Sequence, residues 1–243
     1  MTERALRDKV IVLAKSYLGC NEADGSHRKI IDLYNSQNPL PVGYRVTYTD
    51  AWCATFVSAV GLQAGLQDII FPECGCGRMI ELYKRAGRWM ESDAYVPSPA
   101  DIIMYDWQDS GVGDNQGEAD HVGYVCSVDN GLITVIEGNI NDAVGYRRIA
   151  VDGRYIRGYC LPDYAKKAKE LNAMRDLIFS LTDEEAYYLF QKAQKYAATL
   201  GVPGWAKVEL EKAKEYGITD GTRPQAFVTR VEAAIMAERA AET

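Results

Sequence analysis

Apolar residues recur at helical spacing through the first third of the chain and switch to strand-like runs in the second. Residues 3–18 carry Ala5, Val10, Leu13, Ala14, Tyr17 and Leu18 on one stripe, which ends at Gly19. Gly25-Ser26-His27 opens a shorter helix bearing Ile30, Ile31 and Tyr34, with His27 expected as an exposed polar residue of its first turn. After a Pro- and Gly-containing loop at 38–43, Asp50 reads as the N-cap of a helix carrying Phe56, Val57 and Val60 and ending near Gly65. Residues 78–86 predict a further helix, stopped by Gly87. Pro97-Ser98-Pro99-Ala100-Asp101 then turns into a strand, Ile102 to Tyr105. Strand-like runs follow at 122–128, 132–136, 146–151 and 155–161, and Asp129-Asn130-Gly131 signals a tight hairpin between the first two. Helices first and an antiparallel sheet afterwards predict an α+β domain over residues 1–164.

A different pattern follows. Residues 165–181 are rich in Lys and Ala and predict a helical connector. Thr182-x-x-Glu185 is a capping-box signature, followed by a stripe of Ala186, Leu189, Phe190, Ala193, Ala197 and Leu200. A helix from Trp205 to Tyr216 and a second capping box, Thr229-x-x-Glu232, complete a small all-α domain at 182–243. So short a segment forms a marginal core by itself, so it is expected to pack on the first domain or on copies of itself.

Charge narrows the function. The net charge is −7, and the imbalance lies in residues 1–165 because the rest of the chain is charge-balanced. That disfavours nucleic acid as the partner. No continuous apolar run marks a secretory signal or a transmembrane helix, so synthesis in a cytosol is expected, without membrane insertion. The six cysteines are expected to be reduced. Cys74-Gly75-Cys76 lacks metal-pair spacing and reads as a tight Gly turn. With only His27 and His121 present, a catalytic zinc would need both histidines, and neither a metal nor another cofactor is expected.

The remaining chemistry converges on a thiol. On the predicted helix, Cys53 is the third residue, where free backbone N–H groups and the helix dipole favour thiolate over thiol. The bland alternative is a small buried cysteine on an apolar helix face. His121 stands at the start of one predicted strand, and Glu137 and Asn139 stand at the end of its neighbour. In a hairpin turned at 129–131, positions whose numbers sum to about 260 oppose one another, so 121 lies opposite 139 and shares a face with 137. A Cys nucleophile, a His base and a Glu or Asn orienter form a coherent acyl-transfer site. Which of Glu137 and Asn139 orients the imidazole is left open by the sequence, although Glu137 is expected to matter more.

Four segments resemble, in order, the signatures of the CHAP family (cysteine, histidine-dependent amidohydrolase/peptidase): Asp50 to Ser58, Pro99 to Tyr105, Asp120 to Val125, and Val135 to Asn139. The resemblance spans about residues 5–162. It implies a papain-like fold and catalytic roles for Cys53, His121, Glu137 and Asn139, with Asp50 and Trp52 near the substrate. It also implies bacterial peptidoglycan as partner, with an N-acetylmuramoyl-L-alanine amidase expected first and a stem or cross-bridge endopeptidase as the alternative. A non-catalytic wall-binding protein and an acyltransferase are the readings of other classes. The calcium loop of some CHAP members is not carried over, because residues 44–50 hold a single carboxylate. The C-terminal unit resembles one S-layer homology repeat, which implies wall-polysaccharide contacts by Trp205, Thr229, Arg230 and Glu232 and self-association to supply further copies. Together these imply a phage or prophage endolysin, made in the host cytoplasm and released to the wall through a holin.

Overall fold

The computed structural model describes residues 1–111, 115–222 and 230–241, without the side chains of Trp205, Arg230 and Val231. The chain divides into two units, Met1–Ala173 and Met174–Thr243. In the first, helices α1 (Glu3–Ser16), α2 (Arg28–Asn35), α3 (Cys53–Ala64) and α4 (Cys76–Arg85) precede the sheet strands. These are β1 (Trp89–Met90), β2 (Ile102–Tyr105), β3 (His121–Asp129), β4 (Leu132–Ile140), β5 (Ala143–Ala150) and β6 (Ile156–Cys160). They form one antiparallel six-stranded sheet in the order β1-β6-β2-β3-β4-β5, so the fold is α+β as the hydrophobic pattern predicts. The two-residue β1 was not anticipated, because it is too short to show a period.

Helix α3 is the hub of this unit. Ten of its twelve residues are buried, as expected of a helix that is apolar nearly all round. Its buried Ser58 is satisfied by Glu73, donating to the backbone carbonyl at 2.6 Å and accepting from the N–H at 2.8 Å. Gly65, at φ 70°, closes the helix in the left-handed region. The sheet alternates as a pleated strand must. Ile102, Met104, Val122, Tyr124, Ile136 and Val144 belong to the core containing the helices, and Ile103, Tyr105, Val125, Ile133 and Val135 to a second cluster on the opposite face.

The β3–β4 hairpin holds the register that matters. Asn130 and Gly131 form a two-residue turn with both φ positive, 51° and 74°. Asp129 therefore pairs with Leu132, one position off the predicted register. An irregularity at Cys126 restores it, and Gly123 faces Glu137 at the far end. Beyond the predicted strand end, β4 runs on to Ile140 and turns into β5 through Asn141 and Asp142, both at positive φ.

Two local expectations are corrected. The first residue of α3 is Cys53, with Trp52 at the N-cap, so Asp50 does not cap it and Cys53 is not its third residue. The Asp50 carboxylate instead closes the preceding turn, accepting from the Thr47 N–H at 2.7 Å and the Tyr44 hydroxyl at 3.0 Å. His27 is buried rather than exposed, with its ring nitrogens 3.2 and 3.1 Å from the carbonyls of Asn21 and Tyr48. Either tautomer of the ring finds a carbonyl acceptor for its N–H, which allows its burial.

Helix α5 (Tyr164–Ser180) begins in the first unit, where Tyr164 and Ala168 are buried, and runs across the division at residue 173. The second unit continues with α6 (Asp183–Thr199), α7 (Lys207–Glu215) and α8 (Arg230–Ala241). The Thr182 capping box forms: Thr182 Oγ1 accepts from the Glu185 N–H at 3.3 Å, and Glu185 Oε2 accepts from the Thr182 N–H at 2.9 Å. Thr229 lies outside the described residues, and with it the second capping box. Neither α6 nor α7 buries a residue. No described helix is long and apolar enough to cross a membrane.

Candidate active site

Cys53 and His121 are far apart in the chain and meet where α3 begins and β3 begins. Starting a helix at Cys53 leaves its own N–H and those of Ala54 and Thr55 free of intrahelical partners. Cys53 is 5% exposed, and its thiol is therefore buried. It is held well below its ordinary thiol pKa, first by a hydrogen bond with Cys76, then, against the opposing effect of burial, by His121 and the Ala54 N–H. The fully buried Trp52 fixes the entry to the helix: its indole N–H donates to Glu22 Oε1 at 3.0 Å, and its ring lies 5.7 Å from that of His27.

Burial alone would lower the pKa of His121. Hydrogen bonds with Cys53 and Glu137 outweigh it and push the ring up to about 9. Its Nε2 lies 3.0 Å from Glu137 Oε2, leaving Nδ1 for the thiolate. Tyr105 stacks on the imidazole with ring centroids 6.0 Å apart, and Trp107 stacks on Tyr105 at 4.9 Å.

Glu137 is fully buried. Its carboxylate is shared between His121 and Arg147, whose Nε donates to both oxygens at 2.9 and 3.0 Å. The Arg147 guanidinium lies over Trp107, 4.8 Å from the ring centre. Gly123 makes this packing feasible, because a Cβ there would stand 2.6 Å from Glu137 Cγ. Asn139 follows the register shift between Glu137 and Ile140 and takes φ 56°, which Asn tolerates. With Trp107, His121, Ile140, Asn141 and Arg147 it lines an open cleft of about 230 Å³.

Thus Cys53, His121 and Glu137 form one connected chain of contacts, and Asn139 borders the cleft beside it without a hydrogen bond to the imidazole. Of the residues expected near substrate, Asp50 is tied into its turn and Trp52 is buried as a wall of the site. Glu232 is exposed on α8; Thr229 and the side chains of Trp205 and Arg230 lie outside the description. Sequence reasoning missed Arg147, Cys76, Trp107 and the His27–Glu22 support of Trp52. Arg147 becomes visible only with the β4–β5 register: with Glu137 opposite Gly145, residue 147 falls on the same face of the sheet. Cys76 gave no such signal. Cys74 and Cys76 do not act as a pair, since Cys74 Sγ accepts from Arg78 at 3.5 Å while Cys76 faces Cys53. No cluster of three or more His, Cys, Asp or Glu among the described residues is arranged to hold a metal.

A buried cysteine at a helix start, paired with a carboxylate-held histidine on an antiparallel sheet, defines the papain-like class of thiol acyl-transfer sites. Residues 43–139 match the family model described as the CHAP domain, a segment that includes Cys53, His121, Glu137 and Asn139 and supports a CHAP-family protein. CHAP domains are cysteine- and histidine-dependent amidohydrolases or peptidases, and the match suggests amide hydrolysis in peptidoglycan. No curated protein matches the chain.

Proposed function

We propose that the protein is a peptidoglycan hydrolase that cuts an amide through a Cys53 thioester, with the muramoyl–L-alanine bond as its target. The observation that carries this is the Cys53–His121–Glu137 chain at the start of α3. The thiolate attacks the amide carbonyl. The Cys53 N–H, free at the helix start, faces the developing oxyanion. Imidazolium His121 protonates the leaving amine and, now neutral, takes a proton from the water that hydrolyses the thioester. Glu137 holds the ring in register and compensates its charge. Asn139 borders the bound substrate in the cleft.

The C-terminal unit, in this reading, holds the enzyme on the wall through a polysaccharide contacted by Thr229, Arg230 and Glu232, and self-association multiplies that contact. The setting is a phage or prophage lysis system. Support for both comes from sequence resemblance.

Mass spectrometry of purified peptidoglycan digested by the wild type and by Cys53→Ala tests the reaction. Glycan strands freed of whole stem peptides, absent with the variant, are the expected result. Cut stems or cross-bridges would make it an endopeptidase. No product from a folded wild type on several wall types would leave a wall-binding protein.

A further inference from the structure

The Sγ atoms of Cys53 and Cys76 are 3.8 Å apart, and Cys76 is 8% exposed. Both are free thiols, and each is the first residue of its helix, α3 and α4. Two helix N-termini, with their unpaired N–H groups and positive dipole ends, therefore converge on one pair of sulfurs. Such a place favours one negative charge, not two.

The charge belongs on Cys53. It is Cys53 that contacts His121, which supplies the positive partner, and the Ala54 N–H. Cys76 is pushed the other way: its hydrogen bond with Cys53, burial and the negative charge of Asp120 all disfavour its ionisation. A thiolate has no proton to donate, so the contact between the two sulfurs has one sense. We propose that Cys76 is a positioning residue whose S–H donates to the Cys53 thiolate, fixing the nucleophile's ionisation and its aim. This rests on Cys53 being the nucleophile of the proposed hydrolysis. Cys76 touches no substrate in this arrangement; it acts through Cys53 alone. A purely space-filling cysteine would be replaceable by any side chain of its size, whereas a donor would not.

The test reads the thiolate directly and uses no wall substrate, so a failed digestion and a failed donor role are told apart. Alkylation of Cys53 by iodoacetamide, followed by peptide mass mapping across pH, is measured for the full chain and for Cys76→Ala, Cys76→Val and Cys76→Ser. The donor-less variants are expected to shift the alkylation midpoint upward, slowing reaction about tenfold at a pH below both midpoints, while Cys76→Ser keeps the wild-type profile. Folded donor-less variants with a wild-type profile would overturn the proposal. Should neither fold, Raman spectra of the wild type and Cys53→Ala decide. Both contain the same five thiols besides Cys53. Loss of the acceptor should move one S–H stretch to higher frequency, and an unchanged S–H envelope would overturn the donor role.

Discussion

At the scale of single residues, the site turns on a buried carboxylate shared by two cations. Glu137 contacts both His121 and Arg147, so the two substitutions should act in opposite directions on the imidazole. Glu137→Gln keeps the shape but removes the charge that supports imidazolium. We expect kcat to fall by about 10²-fold or more. Arg147→Ala removes a neighbouring positive charge and should cost less in kcat. The pH–rate profile separates them. In the wild type, the Cys53–His121 pair is competent once Cys53 has ionised, at a pH well below an ordinary thiol pKa, and is lost as His121 deprotonates near pH 9. Rate should thus fall as pH rises through about 9. Glu137→Gln should move that alkaline limb down and Arg147→Ala should move it up; limbs that move together would refute the sharing. Asn139→Ala, at the cleft rim, should cost less than Glu137→Gln, as measured by kcat on the same substrate. Cys53, His121 and Glu137 were legible in the sequence because residue type and hairpin parity converge on them. Arg147 was not picked out because its strand, β5, was read as starting at Tyr146 without a register to β4, and only that register puts it beside Glu137.

At the scale of elements, the join between α3 and β4 brings the start of the Cys53 helix against the strand that carries Glu137. Gly138 lies between Glu137 and Asn139, on the side of β4 that faces α3. A Cβ there would stand 2.4 Å from Phe56 Cβ and 2.9 Å from Trp52 Cζ3. Both neighbours are fully buried and belong to the start of α3, so neither can swing away. Gly138→Ala should therefore destabilise by about 1–3 kcal/mol, as overpacking does, and lower Tm by roughly 2–10 °C. Activity at a temperature well below Tm should fall too, because the strain is relieved by moving α3 from the sheet. A thermal melt and kcat on the folded variant check both, and a wild-type melt would show that the join is looser than these distances state. Helix and strand positions were legible here because α3 is continuously apolar and the turn at Asn130-Gly131 is chemically unambiguous. The start of α3 was misread because Asp50 looks like a cap, yet its carboxylate is used by Thr47 and Tyr44 in the turn before it. Side-chain competition for backbone N–H groups settles such boundaries, and residue type alone does not reveal which N–H wins.

At the scale of the whole chain, chemistry and composition are distributed unequally. Every residue of the Cys53–His121–Glu137–Arg147 network lies within Met1–Ala173. The second unit starts at Met174 and leaves large apolar side chains exposed, among them Phe179, Tyr187 and Tyr196. Neither α6 nor α7 buries a residue. Exposed aromatics at this density are what a surface for carbohydrate or for another copy presents. If the C-terminal unit serves wall attachment, the two tasks should separate by truncation. A chain ending at Ala173 should cut soluble, sonicated peptidoglycan fragments within about threefold of the full-length rate, because fragment encounter needs no tether. Against intact walls it should lose tenfold or more, together with co-sedimentation. Equal loss on soluble and intact substrate would instead make residues 174–243 part of the folded catalytic body. Unimpaired activity on both would deny them a role in wall attachment, and with it the need for self-association.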